Sequence, residues 1–421
     1  MPIDTLTVEN FKGIKERQVF TIKPITLLIG ANSSGKSSCI HALAALAQTV
    51  KLAASNRAIV LDDEYAQVHL GRFIEVIHSK SYSDSMKIGF SMEKAGRNVA
   101  YEKGKFILDK DKPINIEHSF KSTKRTQDVT IEQAIFESNG SKLKVDKKAK
   151  IYSAEFNGSK VEAQINTRGL RLRFLPQQSA SKNRASFFES FVFSEASNDL
   201  ISEELRKVFY LGPFRQSPLR RYPTKGAAPT EVGAQGEMAI TLLANEYVQQ
   251  KNRPNISQIG RWLQEIGLAR SIDIARIGKS DLFDLNVTLP DGANLPMADL
   301  GYGVSQVLPV LAQCSYAPKG ATLLFEQPEL HLHPAAAKKL GTVFAEVTKK
   351  KGLRIVAETH SRELFHQILQ EIREGNLSLN DVCAYTVERK NGCSVFKSIE
   401  IEQDGEHISV YDPWDACLIQ K

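Results

Sequence analysis

The chain has 421 residues, of which 42% are hydrophobic and 24% are charged, so it can bury a large core in one domain with a sizeable insertion, or in two domains. The first residues, MPIDTLTVENFKG, lack a basic region followed by an apolar stretch, and no window approaches about 18 uncharged apolar residues. These features exclude an exported or membrane-spanning class, and we expect a cytosolic protein with no membrane contact.

The cysteines lie far apart and form no CxxC pair, so free thiols are expected rather than a zinc site or a disulfide framework. They are Cys39, Cys314, Cys383, Cys393 and Cys417.

The net charge of +7 is unevenly spread. Residues 81–184 contain 21 Lys and Arg against 12 Asp and Glu, a net of +9, which leaves −2 for the rest of the chain. Such a surplus can attract nucleic acid or an acidic partner, but solvated lysines on a β-rich surface explain it equally well.

The predicted elements begin with a short β-branched strand, ITLLIG at 25–30, followed by a loop and a helical pattern. From about residue 84 to 175, short alternating runs punctuated by Gly, Asn and Ser predict an antiparallel β lobe. Helical patterns return in RASFFESFVF and NDLISEELRKVF, and again in GEMAITLLANEYVQQ and ISQIGRWLQEIG. Strands are then predicted at 321–326 and 353–358, each followed by a helix, and EQDGEH near the end reads as a hairpin with its tip at Asp404 and Gly405.

These patterns predict an α/β protein whose nucleotide fold is split along the chain. We expect four parts, with their boundaries at 1–80 (N-terminal half of the fold), 81–184 (basic β-rich insertion), 185–280 (helical segment) and 281–421 (C-terminal half).

The stretch GANSSGKS matches GxxxxGK[ST] between a strand and a helix, which is the context of a phosphate loop. Its backbone N–H groups and the helix N-terminus are expected to surround the phosphates of ATP. Lys36 is expected to reach the β and γ phosphates, and Ser37 to ligate Mg²⁺. The residues predicted to bind nucleotide here are Gly30, Asn32, Ser33, Ser34, Gly35, Lys36, Ser37 and Ser38.

The stretch LLFEQPELHLHP is an apolar strand that ends on a carboxylate, the arrangement of a Walker B strand. Glu326 is therefore the predicted Mg²⁺-side acid, and Gln327 follows it. Glu329 is the nearest alternative base, although it could instead pair with a basic residue. In IVAETHS, His360 ends the next apolar strand, and Thr359 and Ser361 are candidates to cap the following helix.

The stretch LGYGVSQVLPVL contains a Gly-rich turn, a hydroxyl and an apolar helical run. Ser305 is the predicted N-cap of this helix, with Pro309 within or just past the first turn. A turn of this kind can offer N–H groups to an anion, but an ordinary capped helix has the same pattern.

Together, VENFKGIKE, GANSSGKSS, YLGPFRQSP, GYGVSQVLP, EQPELHLHP and ETHS resemble the AAA family ATPases of the ABC superfamily, the group of RecF, SMC and OLD proteins. Smaller members occur in bacterial anti-phage systems, and the ATPase subunits of PARIS and Septu are the nearest analogies. The resemblance covers both ends of the chain and the region 208–240, and it is weak across the β lobe. It implies an ABC-type P-loop ATPase head with an inserted β lobe and helical segment.

In that family two heads sandwich ATP, so the resemblance implies that Gly303 and Ser305 act in trans on the phosphate loop of another subunit. A homodimer or larger ring follows. The resemblance makes His360 a γ-phosphate switch residue. It also makes Gln67 either a sensor of Mg²⁺ and the attacking water or a solvated loop residue.

Two further positions bear on activity. Arg215, in GPFRQSP, could meet a phosphate or pair with an acid of the core. Gln327 stands where the family usually has a second acid, and because an amide cannot take a proton from water, slow hydrolysis is expected.

OLD nucleases carry a Toprim domain after the ATPase, but 61 residues follow His360 here, with no DxD, so any nuclease is expected to be a separate polypeptide. The leading hypothesis is an ATP-dependent sensor or scaffold that holds such an effector until DNA or a phage protein triggers it. The alternative is a RecF-like DNA repair ATPase that clamps duplex, which a salt-dependent affinity for plain duplex would favour. A transporter ATPase and a GTPase are disfavoured because LSGGQ and [NT]KxD are absent.

Overall fold

The computed structural model describes residues 2–52, 57–96, 98–102, 105–125, 128–149, 151–176, 184–223, 228–404, 407–410 and 414. The chain divides into two compact units. Unit 1 comprises 1–22, 32–208 and 388–396, and unit 2 comprises 23–31, 209–387 and 397–421.

The helices are α1 (Ser37–Lys51), α2 (Phe73–Val76), α3 (Arg184–Arg206), α4 (Ala239–Gln249), α5 (Pro254–Ile266), α6 (Tyr302–Tyr316), α7 (Pro334–Lys351) and α8 (Arg362–Arg373). The first strands are β1 (Thr5–Glu9), β2 (Gln18–Thr21), β3 (Ile25–Gly30), β4 (Met86–Met92), β5 (Val99–Glu102), β6 (Lys105–Leu108), β7 (Ile114–Ser122), β8 (Val129–Ser138), β9 (Ser141–Lys148), β10 (Ile151–Phe156), β11 (Ser159–Val161), β12 (Ala163–Arg168) and β13 (Arg171–Pro176). The remaining strands are β14 (Val208–Leu211), β15 (Tyr222–Pro223), β16 (Ser271–Arg276), β17 (Leu282–Thr288), β18 (Asn294–Pro296), β19 (Thr322–Glu326), β20 (Arg354–Thr359), β21 (Val382–Lys390), β22 (Cys393–Ile399), β23 (Ile401–Asp404) and β24 (His407–Val410).

Unit 2 is built on parallel strands, in a sheet with the order β14-β19-β20-β3-β21-β22. The strand β20 pairs in parallel with β19 and β3, and β3 with β21. All five residues of β19 are buried, as expected for a parallel strand covered on both faces. The predicted α/β class and the strands at 25–30, 321–326 and 353–358 are confirmed, the last two to within one residue.

The strand register places the candidate site residues of unit 2 at the carboxyl end of the parallel strands, which we call the sheet edge. Glu326 lies opposite Glu358, so the residues after β19 and after β20 leave the sheet at the same, carboxyl, end. In open α/β sheets this end is where ligands bind. Helices α6 and α7 contact the strands of this sheet, α5 packs on α6 and α7, and α8 packs on α7. The side chains of Trp262, Phe344 and Phe365 are fully buried in the core.

Unit 1 contains an eight-stranded sheet in the order β11-β10-β9-β8-β7-β4-β1-β2. Its strands are antiparallel, as predicted for residues 84–175, and their inward side chains alternate with outward ones. Because β4 pairs with β1 over five residues, the predicted lobe shares one sheet with the N-terminal strands. The four predicted domain boundaries stay a prediction.

Two sequence patterns, one helical and one of a terminal hairpin, correspond only in part to the observed structure. The helical patterns at 184–193 and 198–209 join into one helix, α3, because no Gly or Pro separates them. The strands β23 and β24 pair antiparallel with Asp404 opposite His407, as expected of the terminal hairpin, but Gly405 lies outside the described residues.

Candidate nucleotide site

The predicted phosphate loop leads from β3 into α1. The helix begins at Ser37, and Lys36 before it already has helical angles (φ −49°, ψ −48°). The first turn of α1 contains no acidic residue, so no carboxylate of its own neutralises the partial positive charge of the helix N-terminus. This end of the helix is suited to bind an anion.

Position 35 of this loop requires glycine, both because of its backbone conformation and because a side chain there would collide with a neighbouring residue. Gly35 has φ +97°, and a Cβ there would overlap the Oγ of Ser394. Ser394 donates its hydroxyl to the carbonyl oxygen of Ser34 at 2.7 Å, and its own N–H binds the carbonyl oxygen of Gly13 at 2.7 Å. Sequence reasoning missed Ser394, because nothing in a residue 360 positions away from the motif signals the contact.

The loop side chains differ in exposure. Asn32 and Ser33 are exposed, Ser37 is half-buried, and Lys36 and Ser38 are buried. Ser34 is 3% exposed and its hydroxyl has no hydrogen-bond partner among the described residues. A buried hydroxyl without a partner is costly, and an oxygen-rich ligand in the loop would supply one.

Gln67 lies in a loop that is attached to α1 by a neighbouring glutamine. The side-chain amide of Gln48, on α1, donates to the carbonyl oxygens of Val60 and Val68 and accepts from the N–H of Val68. The backbone beside Gln67 is therefore fixed to the helix that begins at the phosphate loop. The predicted contact of Gln67 with Mg²⁺ or water stays a prediction.

Glu326, at the end of β19, is 6% exposed and is held by a tyrosine of the neighbouring strand β14. The hydroxyl of Tyr210 donates to Oε1 of Glu326 at 2.7 Å. Burial, and then the Glu326 carboxylate, raise the pKa of Tyr210, so the phenol keeps its proton and remains a donor. Tyr210 thus fixes the orientation of the predicted Mg²⁺-side acid.

Gln327 has a left-handed backbone (φ +47°) that is stabilised on both sides. Its N–H binds the carbonyl oxygen of Glu358 at 2.8 Å, and its own carbonyl oxygen accepts from Nη1 of Arg215 at 3.2 Å. Nη2 of Arg215 binds the carbonyl oxygen of Glu326 at 3.1 Å. This turn directs the chain away from the strand immediately after the predicted acid.

Arg215 has a structural role. Its guanidinium donates to main-chain carbonyl oxygens, and the charges of Glu329 and Glu326 stabilise it, which agrees with the expectation of an interaction with an acid of the core. Burial lowers the pKa of Arg215 to about 10, and its Nε is buried without a hydrogen-bond partner. The side chain stays charged near pH 7 and has one donor available.

Glu329 is held from β20. Its Oε1 accepts from the hydroxyl of Thr359 and from the N–H of His360, both at 2.8 Å. Its Oε2 is buried and has no partner in the described part of the chain. Burial raises the pKa of Glu329, against the opposing effect of these hydrogen bonds. The charge of Arg215 also opposes this rise, so the alternative that Glu329 interacts with a basic residue is supported by electrostatics, although no direct ion pair of Glu329 forms between the described residues.

The sheet edge thus brings together Glu326, Gln327, Glu329 and His360, all in unit 2. Ser361 caps α8 as predicted, since its Oγ accepts from the N–H of Leu364. Thr359 is not the capping residue of α8: its hydroxyl donates to Oε1 of Glu329 and accepts from the N–H of Ser361. Of the predicted phosphate-loop residues, Gly30 belongs to unit 2, and those from Asn32 onward belong to unit 1, as does Gln67.

The segment predicted to act in trans begins α6 earlier than expected. The N-cap is Gly301, and Ser305 is the fourth helical residue, 4% exposed, with its hydroxyl donating to the carbonyl oxygen of Tyr302 at 3.0 Å. The predictions of Ser305 as N-cap and of Pro309 near the first turn are wrong, since Pro309 lies in the middle of the helix. Tyr302 is 62% exposed and Gly303 is half-buried.

Within the described residues, no group of three or more His, Cys, Asp or Glu side chains could hold a metal ion. The Mg²⁺ site predicted from Ser37 and Glu326 does not need one, since Mg²⁺ is commonly bound by one or two protein oxygens together with phosphate oxygens and water. No helix in the described ranges is both long and apolar enough to cross a membrane.

The chain was compared with protein families, curated proteins and solved structures. Residues 25–365 match the family described as "AAA domain, putative AbiEii toxin, Type IV TA system". No curated protein matches the chain. Among solved structures, the SMC head domain from Thermotoga maritima is 10% identical, with a TM-score of 0.43, and the match covers 95% of this chain and 100% of that one.

Two archaeal structures are similar to the same extent. The Smc head with an extended coiled coil, bound to the C-terminal domain of ScpA, from Pyrococcus furiosus is 10% identical, with coverage of 99% and 98% and a TM-score of 0.47. The Smc head with a coiled coil and joint from Pyrococcus yayanosii is 9% identical, with coverage of 95% and 97% and a TM-score of 0.45. Because this family match covers more than half of the chain, the chain belongs to the family described as "AAA domain, putative AbiEii toxin, Type IV TA system".

Proposed function

We propose that this chain binds ATP, hydrolyses it slowly, and acts as the sensor or scaffold of an anti-phage defence complex that controls a separate effector, such as a nuclease. The description of its family as a toxin of a toxin–antitoxin system supports a defence role. A slow ATPase suits a sensor, because its ATP-bound state must persist until the trigger arrives.

The observation that carries this proposal is the amide at position 327. Gln327 follows the buried Glu326 directly, in a backbone conformation fixed by Arg215 and by the carbonyl oxygen of Glu358. An amide at this place can orient a water but cannot accept its proton. The proton must therefore go to another group, which limits the rate.

We assign the role of base to Glu329. Its raised pKa brings it closer to the pH at which a general base works best. Oε1 is anchored by Thr359 and His360, whereas the buried Oε2 has no partner among the described residues and keeps its capacity to accept a hydrogen bond. Nε of Arg215, also buried without a partner among the described residues, is a further donor at this end of the sheet. His360 is proposed to contact the γ phosphate.

For the nucleotide, Lys36 would neutralise phosphate charge, and the N-terminus of α1 would bind phosphate oxygens. The unpartnered hydroxyl of Ser34 and the absence of acids in the first turn support this fit. Ser37, Glu326 and Gln67 are proposed to hold Mg²⁺, and their hydroxyl, carboxylate and amide oxygens are the donor types it prefers. When bound there, Mg²⁺ would offset the charge of the phosphates.

The proposed homodimer would place the start of α6 on the nucleotide of the other subunit. Because the hydroxyl of Ser305 is bound within its own helix, the contact is assigned to the main chain around Gly303 and to the exposed ring of Tyr302. Gly303→Asp should leave ATP binding by the isolated subunit intact but prevent ATP-dependent association, which mass measurement in solution would detect. Association equal to that of wild type would remove this segment from the interface.

Turnover at saturating Mg²⁺-ATP tests the hydrolytic part. General-base catalysis is typically worth ~10²–10⁴-fold, so Gln327→Glu should raise a slow wild-type rate visibly and Glu329→Gln should lower it. Brisk wild-type hydrolysis that survives Glu329→Gln and gains nothing from Gln327→Glu would defeat the slow-sensor proposal. The effector part is tested by purifying the tagged chain with and without ATP and assaying for a nuclease that follows nucleotide state.

The second candidate is a RecF-like repair ATPase that clamps duplex DNA. The net charge of +9 in residues 81–184 favours it. A clamp requires two ATP-bound subunits, so duplex retention that depends on ATP and is lost in Gly303→Asp, with no effector partner, would favour repair over defence.

A further inference from the structure

Unit 1 contains a cavity of about 170 Å³ that the nucleotide site does not use. It lies where the end of α1, the turn between β12 and β13, and the end of α3 meet. The residues that matter in its lining are Thr49, Arg168, Gly169, Arg171, Ser202 and Arg206. Three arginines and no acid contribute to this lining.

Two of the arginines face each other across the β12–β13 ribbon. Arg168 lies directly opposite Arg171 in the strand register, and both are exposed. Like charges directly opposite each other in an antiparallel pair are destabilising. Arg171 is partly compensated, since its Nε donates to Ser202 at 3.0 Å and its Nη2 lies 3.9 Å from Asp199. Arg168 has no carboxylate partner among the described residues.

The third arginine, Arg206, is the last residue of α3, and it too has no carboxylate partner in the described part of the chain. The two glutamates of the last helical turn, Glu203 and Glu204, both pair with Lys207 at 3.0 Å. Arg206 complements the negative end of the helix dipole, which accounts for one cation at this place. It does not account for Arg168, which lies on a different element and faces the same cavity.

The turn between β12 and β13, beside Arg168 and Arg171, is held in place by contacts within the protein. Gly169 has φ +58°, and a Cβ there would lie 3.5 Å from a methyl group of Thr49, so the turn sits close against α1. Burial lowers the pKa of His118 to about 4, and the neutral ring donates from Nε2 to the carbonyl oxygen of Leu170 at 2.9 Å. The guanidiniums therefore project from a rigid scaffold, which reduces the entropy cost of binding.

The donors fit a phosphate better than a carboxylate. Each guanidinium presents a fork of N–H groups, and one fork already saturates the two oxygens of a carboxylate. The exposed face of the ribbon also continues past the cavity with Asn166, Gln164 and Arg173. A small free anion would leave that basic and polar face unused, whereas a nucleic-acid strand would cover it.

We propose that this arginine cavity and the adjoining ribbon face bind the phosphodiester backbone of a nucleic-acid strand. The proposal goes beyond the nucleotide site and needs neither ATP nor an effector, so its failure would leave the proposed ATPase function untouched. Such contacts carry no sequence information by themselves, so binding should be insensitive to sequence.

The test measures binding of labelled single-stranded DNA, duplex DNA and RNA to the full chain without ATP, between about 50 and 200 mM salt. Arg168→Gln combined with Arg206→Gln should weaken binding at least about tenfold at low salt. It should also reduce the steepness of log affinity against log salt concentration by about one to two. Arg125→Gln is the matched control, because Arg125 is an exposed arginine of unit 1 outside the cavity. It should change affinity little.

A stability measurement separates binding from a structural role. Arg168→Gln removes a like-charge contact, so the midpoint of thermal unfolding should stay the same or rise. Unchanged affinity in the double variant would overturn the proposal, as would an equal loss in Arg125→Gln. So would displacement of nucleic acid by polyglutamate at equal charge concentration, which would show general attraction of acidic polymers.

Discussion

The phosphate loop and the carboxyl edge of the parallel sheet differ in how far their buried polar groups are hydrogen-bonded within the protein. In the loop, the buried hydroxyl of Ser34 lacks a partner within the described residues, and α1 begins without an acid. At the sheet edge, Tyr210 holds Glu326, and Arg215 holds the main chain on both sides of the turn. The first region is prepared to receive an anion, whereas the second keeps its own carboxylates and main chain in place.

This difference indicates that the loop contributes mainly to ligand binding and the sheet edge mainly to the positioning of carboxylates. A loop with open donors gains its interactions when the ligand arrives, so its side chains should affect affinity most. The hydrogen bonds that hold Glu326, Glu329 and the turn at Gln327 are formed before binding, so removing one of them should affect both stability and the placement of a carboxylate. Substitutions on each side therefore sharpen the comparison, and we take them from the largest expected effect to the smallest.

Lys36→Ala should weaken ATP binding at least about 100-fold. Charge-assisted hydrogen bonds contribute about 1.5–3 kcal/mol each, and Lys36 is proposed to reach two phosphates. Calorimetric titration with ATP measures the loss. Lys349→Ala, at an exposed lysine near the end of α7, is the control and should bind as wild type does. Unchanged affinity in Lys36→Ala would refute the phosphate-loop assignment.

Gly35→Ala should reduce ATP affinity about tenfold or more and lower the unfolding temperature. The left-handed conformation costs an L-residue roughly 1–2 kcal/mol, and the added methyl group overlaps Ser394. Gly140→Ala is a matched control, because Gly140 has φ +75° but no atom within 4 Å of a Cβ.

The difference between these two variants isolates the overlap with Ser394. Adding Ser394→Gly to Gly35→Ala should recover part of the lost affinity, since it removes the obstructing hydroxyl. If both glycine substitutions destabilise the protein equally, and Ser394→Gly recovers nothing, the loop is limited by backbone strain alone.

The same comparison explains what could be predicted from the sequence. The phosphate loop is local: GANSSGKS, a preceding strand and a following helix lie within about 30 residues, and the pattern predicts their geometry. The strands at 321–326 and 353–358 were predicted for the same reason, since a buried parallel strand is a continuous apolar run.

The partners of the sheet edge could not be predicted in this way. Tyr210 reaches Glu326 only because β14 and β19 are neighbours in the sheet, and strand order is not written in any local pattern. Ser305 was misassigned because a Gly-Tyr-Gly turn allows more than one helix start, and the helix begins at the earliest. The sequence shows that Arg168 and Arg171 are positively charged, but that they lie opposite each other depends on the register of the β12–β13 hairpin.

Tyr210→Phe should destabilise the protein by about 1.5–3 kcal/mol, because the buried Glu326 loses a charged hydrogen bond. It should also weaken Mg²⁺-dependent ATP binding, while binding without Mg²⁺ changes less. Tyr222→Phe is the control: its hydroxyl accepts from the N–H of Leu219 at 3.0 Å, and a neutral bond is worth about 0.5–1.5 kcal/mol. Equal effects of both variants would show that Tyr210 only fills space.

The smallest effect concerns Glu329 and depends on pH. Burial raises the pKa of Glu329 in the folded chain above its unfolded value of about 4.3. The folded state then binds the proton more tightly, so wild-type stability falls as the pH rises from the unfolded pKa through the folded one.

Glu329→Gln removes this titration while its carbonyl oxygen can still accept from Thr359 and His360. Relative to wild type, the variant should therefore gain stability between about pH 4 and pH 7, and urea unfolding at both values measures the change. Glu93→Gln, at an exposed glutamate, should show no such gain. If the difference between Glu329→Gln and wild type is the same at both pH values, ionised Glu329 carries no desolvation cost. The argument that burial prepares it as a base would then fail, even though its position beside Thr359 and His360 would stand.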